Sequence, residues 1–144
     1  MIQAKTNREF ASAPSQSGLI QGVSWSNDGR QFATIDTDGQ LLIWQDNLQG
    51  QGRKLGYHPT ILNCLEFSPN SERLATPDKE GRIRLWRVSD DLVNPTLMHH
   101  KGQVADVVVA GDGSVAASVS GSEVVVWEAP AGKIQHRLKD HPSF

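Results

Sequence analysis

The histidine side chains are the residues of this chain best suited to bind a metal ion, because a neutral imidazole is a common metal ligand. His99, His100, His136 and His141 are spaced in a way that matches no compact ligand motif. A metal site needs three or four ligands that converge on one point. The sequence therefore predicts that no metal is bound.

Two pairs of carboxylates have the residue types needed for acid–base catalysis: Asp36 with Asp38, and Asp90 with Asp91. The first pair lies in residues 36–39, where Asp and Gly suit a tight hairpin turn. The second pair lies in a polar loop in which solvated charge is ordinary. No serine occupies a strand-to-helix elbow. We therefore predict no catalytic residues and no enzymatic activity.

The single cysteine and one glycine-rich segment also predict no reactive site. Cys64 lies in an apolar stretch between Leu62 and Phe67, which favours a small core residue over a nucleophile. Residues 50–53 contain two glycines but lack the strand–loop–helix setting of a phosphate cradle. We expect no cofactor.

Composition limits the classes of protein that this chain can represent. Of its 144 residues, 38% are hydrophobic, and 14 Lys and Arg against 16 Asp and Glu give a net charge of −2. A chain of this size can bury a core without disulfides. The near-neutral charge argues against nucleic acid as a partner. The longest apolar runs, such as 41–44 and 107–110, are far too short to span a membrane. With one cysteine and no secretory signal pattern, we expect a cytoplasmic protein.

A repeat of about 42 residues organises the chain. Trp44, Trp86 and Trp127 are spaced 42 and 41 residues apart. Turn clusters that begin at Trp25, Phe67 and Val109 keep the same step. Further markers in register are Gly39 with Gly81, and His58 with His100 and His141.

Each period predicts four short strands separated by turns, with no segment of helical periodicity. In the first period the strands are expected near residues 20–25, 30–35, 40–45 and 53–57. The segment 41–44 is apolar at every position and leaves no polar face for water. Each four-stranded sheet must therefore pack against a neighbouring sheet.

Residues 32–44 and 74–86 resemble the second and third strands of WD40-repeat β-propellers, and the resemblance extends over about residues 18–142. It implies an all-β fold of propeller blades, each with four antiparallel strands, and about three blades in this chain. The family commonly has Asp after the conserved Trp. Here the following residues are Gln45, Arg87 and Glu128.

The resemblance also implies which residues are structural. In this family a His before the first strand, a Ser or Thr on the second, an Asp in the next turn and the Trp are linked by hydrogen bonds. The matching residues are Trp44, Trp86, Trp127, Thr34, Asp38, His58, Thr76 and His100. Gln16 stands where the first His is expected, and Glu80 and Gly121 stand at the acidic position, so no repeat has the full set.

The repeat count poses a closure problem. We divide the chain into an N-terminal arm or closing strand (1–17), three blades (18–57, 58–99 and 100–139) and the start of a further repeat or a tail (140–144). Closed propellers use about four to eight blades, so three cannot close a ring, and the apolar faces of the end blades need a cover. Either a second copy forms a homo-oligomer, another chain supplies blades, or the chain is part of a longer polypeptide.

The resemblance implies a non-catalytic scaffold that binds a protein or peptide through loop rims and blade edges. By position, the candidate rim residues are Thr37, Tyr57, Pro59, Lys79 and Lys101. Two alternatives stay open: a sensor or autoinhibitory segment of a larger regulatory protein, and a propeller enzyme or small-molecule binder.

Arginines near residues 73–87 raise one further possibility. Arg82 and Arg84, with Arg73, Lys79 and Arg87 nearby, could form a basic patch for an acidic partner. A solvated rim is the simpler interpretation.

Overall fold

The structure is a computed structural model that describes residues 16–46, 52–59, 64–89 and 94–139. The predicted arm at 1–17, apart from Gln16 and Ser17, and the predicted tail at 140–144 lie outside these residues. Within the described part of the chain there is no helix, and the strands form three four-stranded antiparallel sheets. This confirms the all-β prediction.

We call the three sheets blade 1, blade 2 and blade 3. Blade 1 contains β1 (Ile20–Trp25), β2 (Gln31–Asp36), β3 (Gln40–Gln45) and β4 (Arg53–Tyr57). Blade 2 contains β5 (Glu66–Phe67), β6 (Arg73–Pro77), β7 (Arg82–Arg87) and β8 (Thr96–His99). Blade 3 contains β9 (Asp106–Val109), β10 (Val115–Ser120), β11 (Glu123–Glu128) and β12 (Lys133–Leu138). In every blade the strand order follows the sequence.

The turn between the first two strands of a blade is built by side chains that bond the backbone. In blade 1, Ser26 Oγ donates to Gln31 O (2.8 Å) and accepts from Gln31 N (3.1 Å). Ser68 repeats this pattern with Arg73 in blade 2. Short polar side chains therefore close these hairpins locally.

One position in this turn has left-handed backbone geometry in all three blades. Gly29 (φ 69°) and Gly113 (φ 71°) adopt it without steric cost, but blade 2 has Ser71 there, with φ 62°. Among the described residues, Ser71 is the one non-glycine residue with positive φ. Such a conformation costs on the order of 1 to 2 kcal/mol, so blade 2 carries local backbone strain at this turn.

The hydrophobic core lies between neighbouring blades. Side chains of β2, β3 and β4 pack against those of β5, β6 and β7; the buried residues of this layer include Ile35, Leu41, Ile43, Leu55, Leu65, Phe67, Leu74 and Trp86. A second layer joins blade 2 to blade 3 through Ile83, Leu85, Met98, Val104, Val107, Val125 and Trp127. Burial of these faces is the main force that holds the blades together.

The antiparallel topology places the turns at two opposite ends of the strands. We call the end that follows β2 the upper rim and the end that follows β1 the lower rim. The upper rim comprises residues 37–39, 58–59, 79–81, 100–103 and 121–122. The lower rim comprises residues 26–30, 68–72, 88–89, 110–114 and 129–132.

The three sheets do not close into a ring. On the far side of blade 1, Val23 and Trp25 are 61% and 54% exposed. On the far side of blade 3, Val108 is 53% exposed. Each end of the stack therefore presents apolar side chains to water.

Gly56 on β4 gives the first test of the packing between blades. A Cβ added there would lie 2.2 Å from Cζ3 of Trp86, a rigid ring that belongs to the next blade. We expect Gly56→Ala to lower the free energy of unfolding by about 1 to 3 kcal/mol, because overpacking forces the blades apart. Urea denaturation followed by tryptophan fluorescence measures the change.

Gly111→Ala is the matched control, because a Cβ there meets no atom within 4 Å. Equal effects of the two substitutions would contradict the tight junction between blades 1 and 2.

Candidate functional site

A cleft of about 360 Å³ opens on the upper rim between blades 1 and 2. We call it the upper cleft. It is lined by Thr37, Asp38, Tyr57, His58, Pro59, Lys79 and Glu80. Four of the five candidate rim residues, Thr37, Tyr57, Pro59 and Lys79, therefore come together in one cleft. The fifth, Lys101, lies exposed on the same rim at the junction between blades 2 and 3.

Backbone contacts fix the two sides of the upper cleft in blade 1. The N–H of Gly39 donates to Asp36 O (3.0 Å), and the N–H of His58 donates to Gly39 O (2.8 Å). Gly39 has φ 80°, and a Cβ there would lie 2.0 Å from His58 O. Only glycine allows this approach. The turn that carries Thr37 is thus pinned against the segment that carries Tyr57.

Buried carboxylates hold the turns that carry Thr37 and Lys79. Asp36 Oδ1 accepts from Gln40 N (2.8 Å). Asp78 Oδ1 accepts from the N–H groups of Glu80 (2.9 Å) and Arg82 (2.8 Å). Asp78 Oδ2 also accepts from Arg82 Nε (2.8 Å), and the carboxylate raises the pKa of that guanidinium. The turns are therefore rigid although their tips are exposed.

The buried acidic residue lies two positions before the one that the sequence singled out. Asp38 and Glu80 are exposed, whereas Asp36 and Asp78 are 1% and 0% exposed. In blade 1 the reason is the length of the second strand, since β2 continues to Asp36 and the turn begins only after it. In blade 2, Asp78 directly follows β6. Asp38 thus lines the upper cleft and is exposed.

His58 forms the floor of the upper cleft and is fully buried. Its Nε2 lies 2.9 Å from Nη1 of Arg84. Because a guanidinium can only donate, Nε2 accepts and this ring nitrogen carries no proton. Arg84 Nη1 also lies 3.9 Å from Asp78 Oδ2, and burial lowers the pKa of Arg84.

Arg84 is a residue that the sequence analysis did not assign to this site. Leu42 and Val125 occupy the equivalent positions of blades 1 and 3. A charge at a position where the other repeats are apolar is the signal that could have found it. The junction between blades 1 and 2 therefore contains a charged group that the repeat pattern does not require.

A hydrogen bond to the indole of the third-strand tryptophan is present in every blade. The Nε1 atoms of Trp44, Trp86 and Trp127 donate to Thr34 Oγ1 (2.8 Å), Thr76 Oγ1 (2.9 Å) and Ser118 Oγ (2.6 Å). These bonds satisfy donors that would cost about 1 to 3 kcal/mol each if left unpaired. Ser118, which the sequence analysis did not single out, has the same role as the two threonines.

The hydroxyl groups of blades 1 and 3 have a further partner. Thr34 Oγ1 donates to Gln16 Oε1 (2.5 Å), and the Gln16 amide also donates to Gln40 O (3.1 Å). In blade 3, Ser118 Oγ lies 2.6 Å from His100 Nε2. The amide of Gln16 thus replaces an imidazole in blade 1.

His100 connects Ser118 to Glu123. Ser118 Oγ accepts from Trp127 Nε1 and lies 2.6 Å from Nε2 of His100. Nδ1 lies 3.5 Å from Glu123 Oε2, and Glu123 Oε1 accepts from Arg137 Nη1 (2.9 Å). Burial lowers the pKa of His100, and the Glu123 carboxylate opposes this shift in part.

Two residues of this Ser–His–Glu arrangement, Ser118 and His100, lie inside the blade. Ser118 and His100 are 3% and 0% exposed, so neither can be reached by a substrate. Cys64 is half-buried, and burial raises the pKa of its thiol to about 11. Its reactive thiolate form is therefore scarce at neutral pH.

Within the described ranges, no three His, Cys, Asp or Glu side chains are grouped to hold a metal ion. No helix in the same ranges has the length and apolar character to cross a membrane.

Comparison with protein families gives a match over more than half of the chain. The model described as "WD domain, G-beta repeat" matches residues 7–45 and 51–87.

Several curated proteins are similar to the chain. It is 33% identical over 129 residues to the chromatin assembly factor 1 subunit FAS2 homolog of Oryza sativa subsp. japonica. This match covers 78% of the chain and 25% of that protein. It is 29% identical over 128 residues to apoptotic protease-activating factor 1 of Homo sapiens, covering 81% of the chain and 10% of that protein. It is 30% identical over 93 residues to the protein LST8 homolog of Drosophila melanogaster, and this match covers 60% of the chain and 30% of that protein. The chain thus spans a quarter or less of the first two relatives.

The buried state of His100 predicts a dependence of stability on pH. An unfolded histidine binds a proton below about pH 6.5, whereas the folded chain keeps His100 neutral to lower pH because burial depresses its pKa. The unfolded state then binds more protons, so the free energy of unfolding falls as the pH drops below about 6.5, by up to about 1.4 kcal/mol per unit. Denaturation at pH values from 5 to 8 measures this slope.

His100→Gln is the informative variant, because Gln16 already shows that an amide can bond the hydroxyl of the second strand. We expect its slope to be smaller. His136→Gln on the exposed strand β12 should keep the original slope. An unchanged slope in His100→Gln would show that His100 does not titrate as inferred.

Proposed function

The chain belongs to the WD40-repeat family, and on that premise we propose that it is a non-catalytic interaction module whose upper cleft binds a protein or peptide. Proteins with WD40 repeats generally act as interaction scaffolds. Rigid blades hold the connecting turns in fixed places, which lowers the entropic cost of ordering them when a partner binds.

The observation that carries this proposal is the convergence of exposed side chains from two blades on one cleft. Tyr57 is 57% exposed, and Thr37, Pro59 and Lys79 are exposed around it. Tyrosine is enriched at protein interfaces because it combines a large apolar ring with a hydroxyl. The cleft thus offers an aromatic anchor within a polar rim.

Lys101 extends the same surface toward blade 3. It lies 42 residues after Pro59 and is exposed on the upper rim. A partner that spans both junctions would contact Lys79 and Lys101 together. Both lysines then favour an approaching acidic group.

Charge reversal at these two positions tests the upper cleft. Peptides are first selected by display on the intact chain, and their affinities are measured by fluorescence anisotropy. We expect Lys79→Glu and Lys101→Glu each to weaken the selected peptides about tenfold, or about 1.4 kcal/mol. Circular dichroism should remain unchanged, because both side chains are exposed.

Lys133→Glu on β12 makes the same change of charge at an exposed position of blade 3 and should leave the affinity as it is. Selected peptides that bind all three variants equally would refute the upper cleft as the binding surface.

We further propose that additional blades of the same type cover both ends of the stack. Val23 and Trp25 are exposed, yet the equivalent residues face the preceding blade in blades 2 and 3 and are 1% to 7% exposed: Leu65, Phe67, Val107 and Val109. Trp25 also contacts Phe32, at 5.0 Å between ring centroids, which gives this face a second aromatic ring.

The far face of blade 3 supports the same proposal. Val124 and Val126 are only half-buried. Their equivalents on blades 1 and 2 are 0% to 2% exposed against the next blade: Leu41, Ile43, Ile83 and Leu85. These positions are buried wherever a neighbouring blade is present. A further blade is therefore the structure that would cover this face.

The absolute mass in solution tests this cover. We expect the isolated chain to self-associate, and Val124→Glu to reduce the association because a buried, unpaired charge is costly. Gln135→Glu on exposed β12 is the control.

A mass near twice that of the chain indicates a second copy, whereas aggregation indicates blades from elsewhere. A monodisperse monomer at high concentration would refute the proposal.

A further inference from the structure

A cleft of about 550 Å³ lies between the fourth strands of blades 1 and 2, which are the edge strands β4 and β8. We call it the edge cleft. The lining residues on which its chemistry depends are Leu55, Gly56, Arg84, Trp86 and Leu97. Among the described lining residues, Tyr57 is the one that it shares with the upper cleft. The edge cleft is therefore a separate surface at the same junction.

An exposed leucine forms one side of the edge cleft. Leu97 is 62% exposed and is the direct cross-strand partner of Arg84. Directly opposed residues share one face of a sheet, and this face is turned toward blade 1, because Arg84 contacts His58. Both blades of this junction are present, so the additional blades proposed for the ends of the stack would not cover Leu97.

Blade 2 exchanges the two residue types of this cross-strand pair. In the other blades the third strand carries the apolar residue and the fourth strand carries the basic one. Those pairs are Leu42 with Lys54 and Val125 with Arg137. In blade 2 the third strand carries Arg84 and the fourth strand carries Leu97. The blade architecture therefore requires neither residue at its place in blade 2.

Arg84 is the charged group among the described lining residues of the edge cleft. Its side chain is 14% exposed, so a ligand in the cleft can reach the guanidinium. The carboxylate of Asp78 lies 3.9 Å away and already accepts from Arg82 Nε at 2.8 Å. Burial lowers the pKa of Arg84, and the neighbouring acidic residues offset this only in part. A further carboxylate would therefore stabilise the charge of Arg84.

The two sides of the edge cleft are held in place by contacts outside it. Thr96 Oγ1 donates to Pro130 O (3.2 Å), and a Cβ at Gly132 would lie 2.7 Å from Leu97 O. The strand that carries Leu97 thus rests on a turn of blade 3. Across the cleft, the indole of Trp86 is fixed by its hydrogen bond inside blade 2. A segment that binds here meets fixed walls, which lowers the entropic cost of binding.

From this geometry we propose that the edge cleft binds an extended segment of a protein partner that combines an apolar and an acidic residue. The apolar side chain packs on Leu97, and the carboxylate pairs with Arg84, since a guanidinium binds a carboxylate through two parallel hydrogen bonds. This goes beyond the proposed function of the upper cleft and does not depend on it.

The spacing of the two groups defines the segment. Directly opposed residues such as Arg84 and Leu97 have Cβ atoms about 5 Å apart. In an extended chain, side chains two positions apart point to the same side and are separated by about 6.6 Å. The acidic residue is therefore expected two positions from the apolar one.

The test uses the full chain and a fluorescein-labelled peptide with the core Glu-Ser-Phe-Ser-Glu between Gly-Ser flanks. Two further peptides replace both Glu residues by Gln, or Phe by Ser. Fluorescence anisotropy gives the three affinities. We expect the first peptide to bind saturably with a Kd below about 1 mM, and each replacement to weaken it about tenfold. Its affinity should also fall as salt rises from about 50 to 200 mM.

Variants of the chain assign this binding to the edge cleft. Leu97→Ser and Arg84→Gln should each weaken the first peptide about tenfold. Leu97 is exposed, so its replacement should leave the unfolding midpoint unchanged, and Gln at position 84 keeps an amide donor for His58 Nε2. Leu138→Ser is the matched control, because it removes an exposed leucine from the fourth strand of blade 3. It should leave the affinity as it is.

Any of three results would overturn the proposal. The first peptide would bind no better than its Gln and Ser versions, or not at all up to about 1 mM. The folded Leu97→Ser variant would bind it as the original chain does. In the third result, Leu97→Ser would lower the mass of a self-associated chain without changing peptide binding, which would assign the cleft to a contact between copies.

Two cross-checks separate this proposal from that of the upper cleft. Lys79→Glu should leave the affinity for the Glu-Ser-Phe-Ser-Glu peptide unchanged. Leu97→Ser should leave the affinity for the peptides selected on the upper cleft unchanged. Failure at one surface is therefore distinguishable from failure at the other.

Discussion

The packing of one apolar sheet face on the next is the constraint on which the rest of this structure depends. A residue such as Ile83 or Leu41 is fully buried only because a neighbouring blade lies against it. A single four-stranded sheet with two apolar faces would not be stable in water. The turns at both rims owe their fixed positions to this stacking. The upper cleft therefore forms at a junction, where side chains from two blades meet.

Polar atoms inside the blades follow a second constraint, which is that buried donors are generally paired with acceptors. The repeats pair the hydroxyl on the second strand with different residues, and among the described side chains His100 Nδ1 is left buried without a hydrogen bond. Gln16 stands where His100 stands in blade 3, and Glu123 provides a carboxylate beside His100 where blade 1 uses Asp36. The hydrogen bonds are kept more closely than the residue types, which explains how repeats that lack the Trp-Asp dipeptide still form regular blades.

The sequence predicted the blades because Trp44, Trp86 and Trp127 keep a fixed period that local turn chemistry repeats. It also predicted five residues on a loop rim, four of which line the upper cleft because equivalent loops lie on one rim. Their part in binding stays a prediction. It did not predict that Asp36 is the buried carboxylate, because this depends on where β2 ends by one or two residues. The sequence named Arg84 only as part of a possible basic patch and did not place it beside His58 and Asp78, since these neighbours come from segments that only the fold brings together.

Arg84 makes the junction between blades 1 and 2 chemically different, because the other blades have Leu42 and Val125 at the equivalent positions. Repeats of similar shape risk docking onto the wrong neighbour while the chain folds, or onto a blade of another molecule. The guanidinium of Arg84 lies 3.9 Å from the carboxylate of Asp78 in its own blade and 2.9 Å from the imidazole of His58, which follows β4 of blade 1. A neighbour that did not bring this imidazole would remove one partner of a largely buried charge. The junction thus favours one particular neighbour, a form of selectivity that hydrophobic packing alone does not provide.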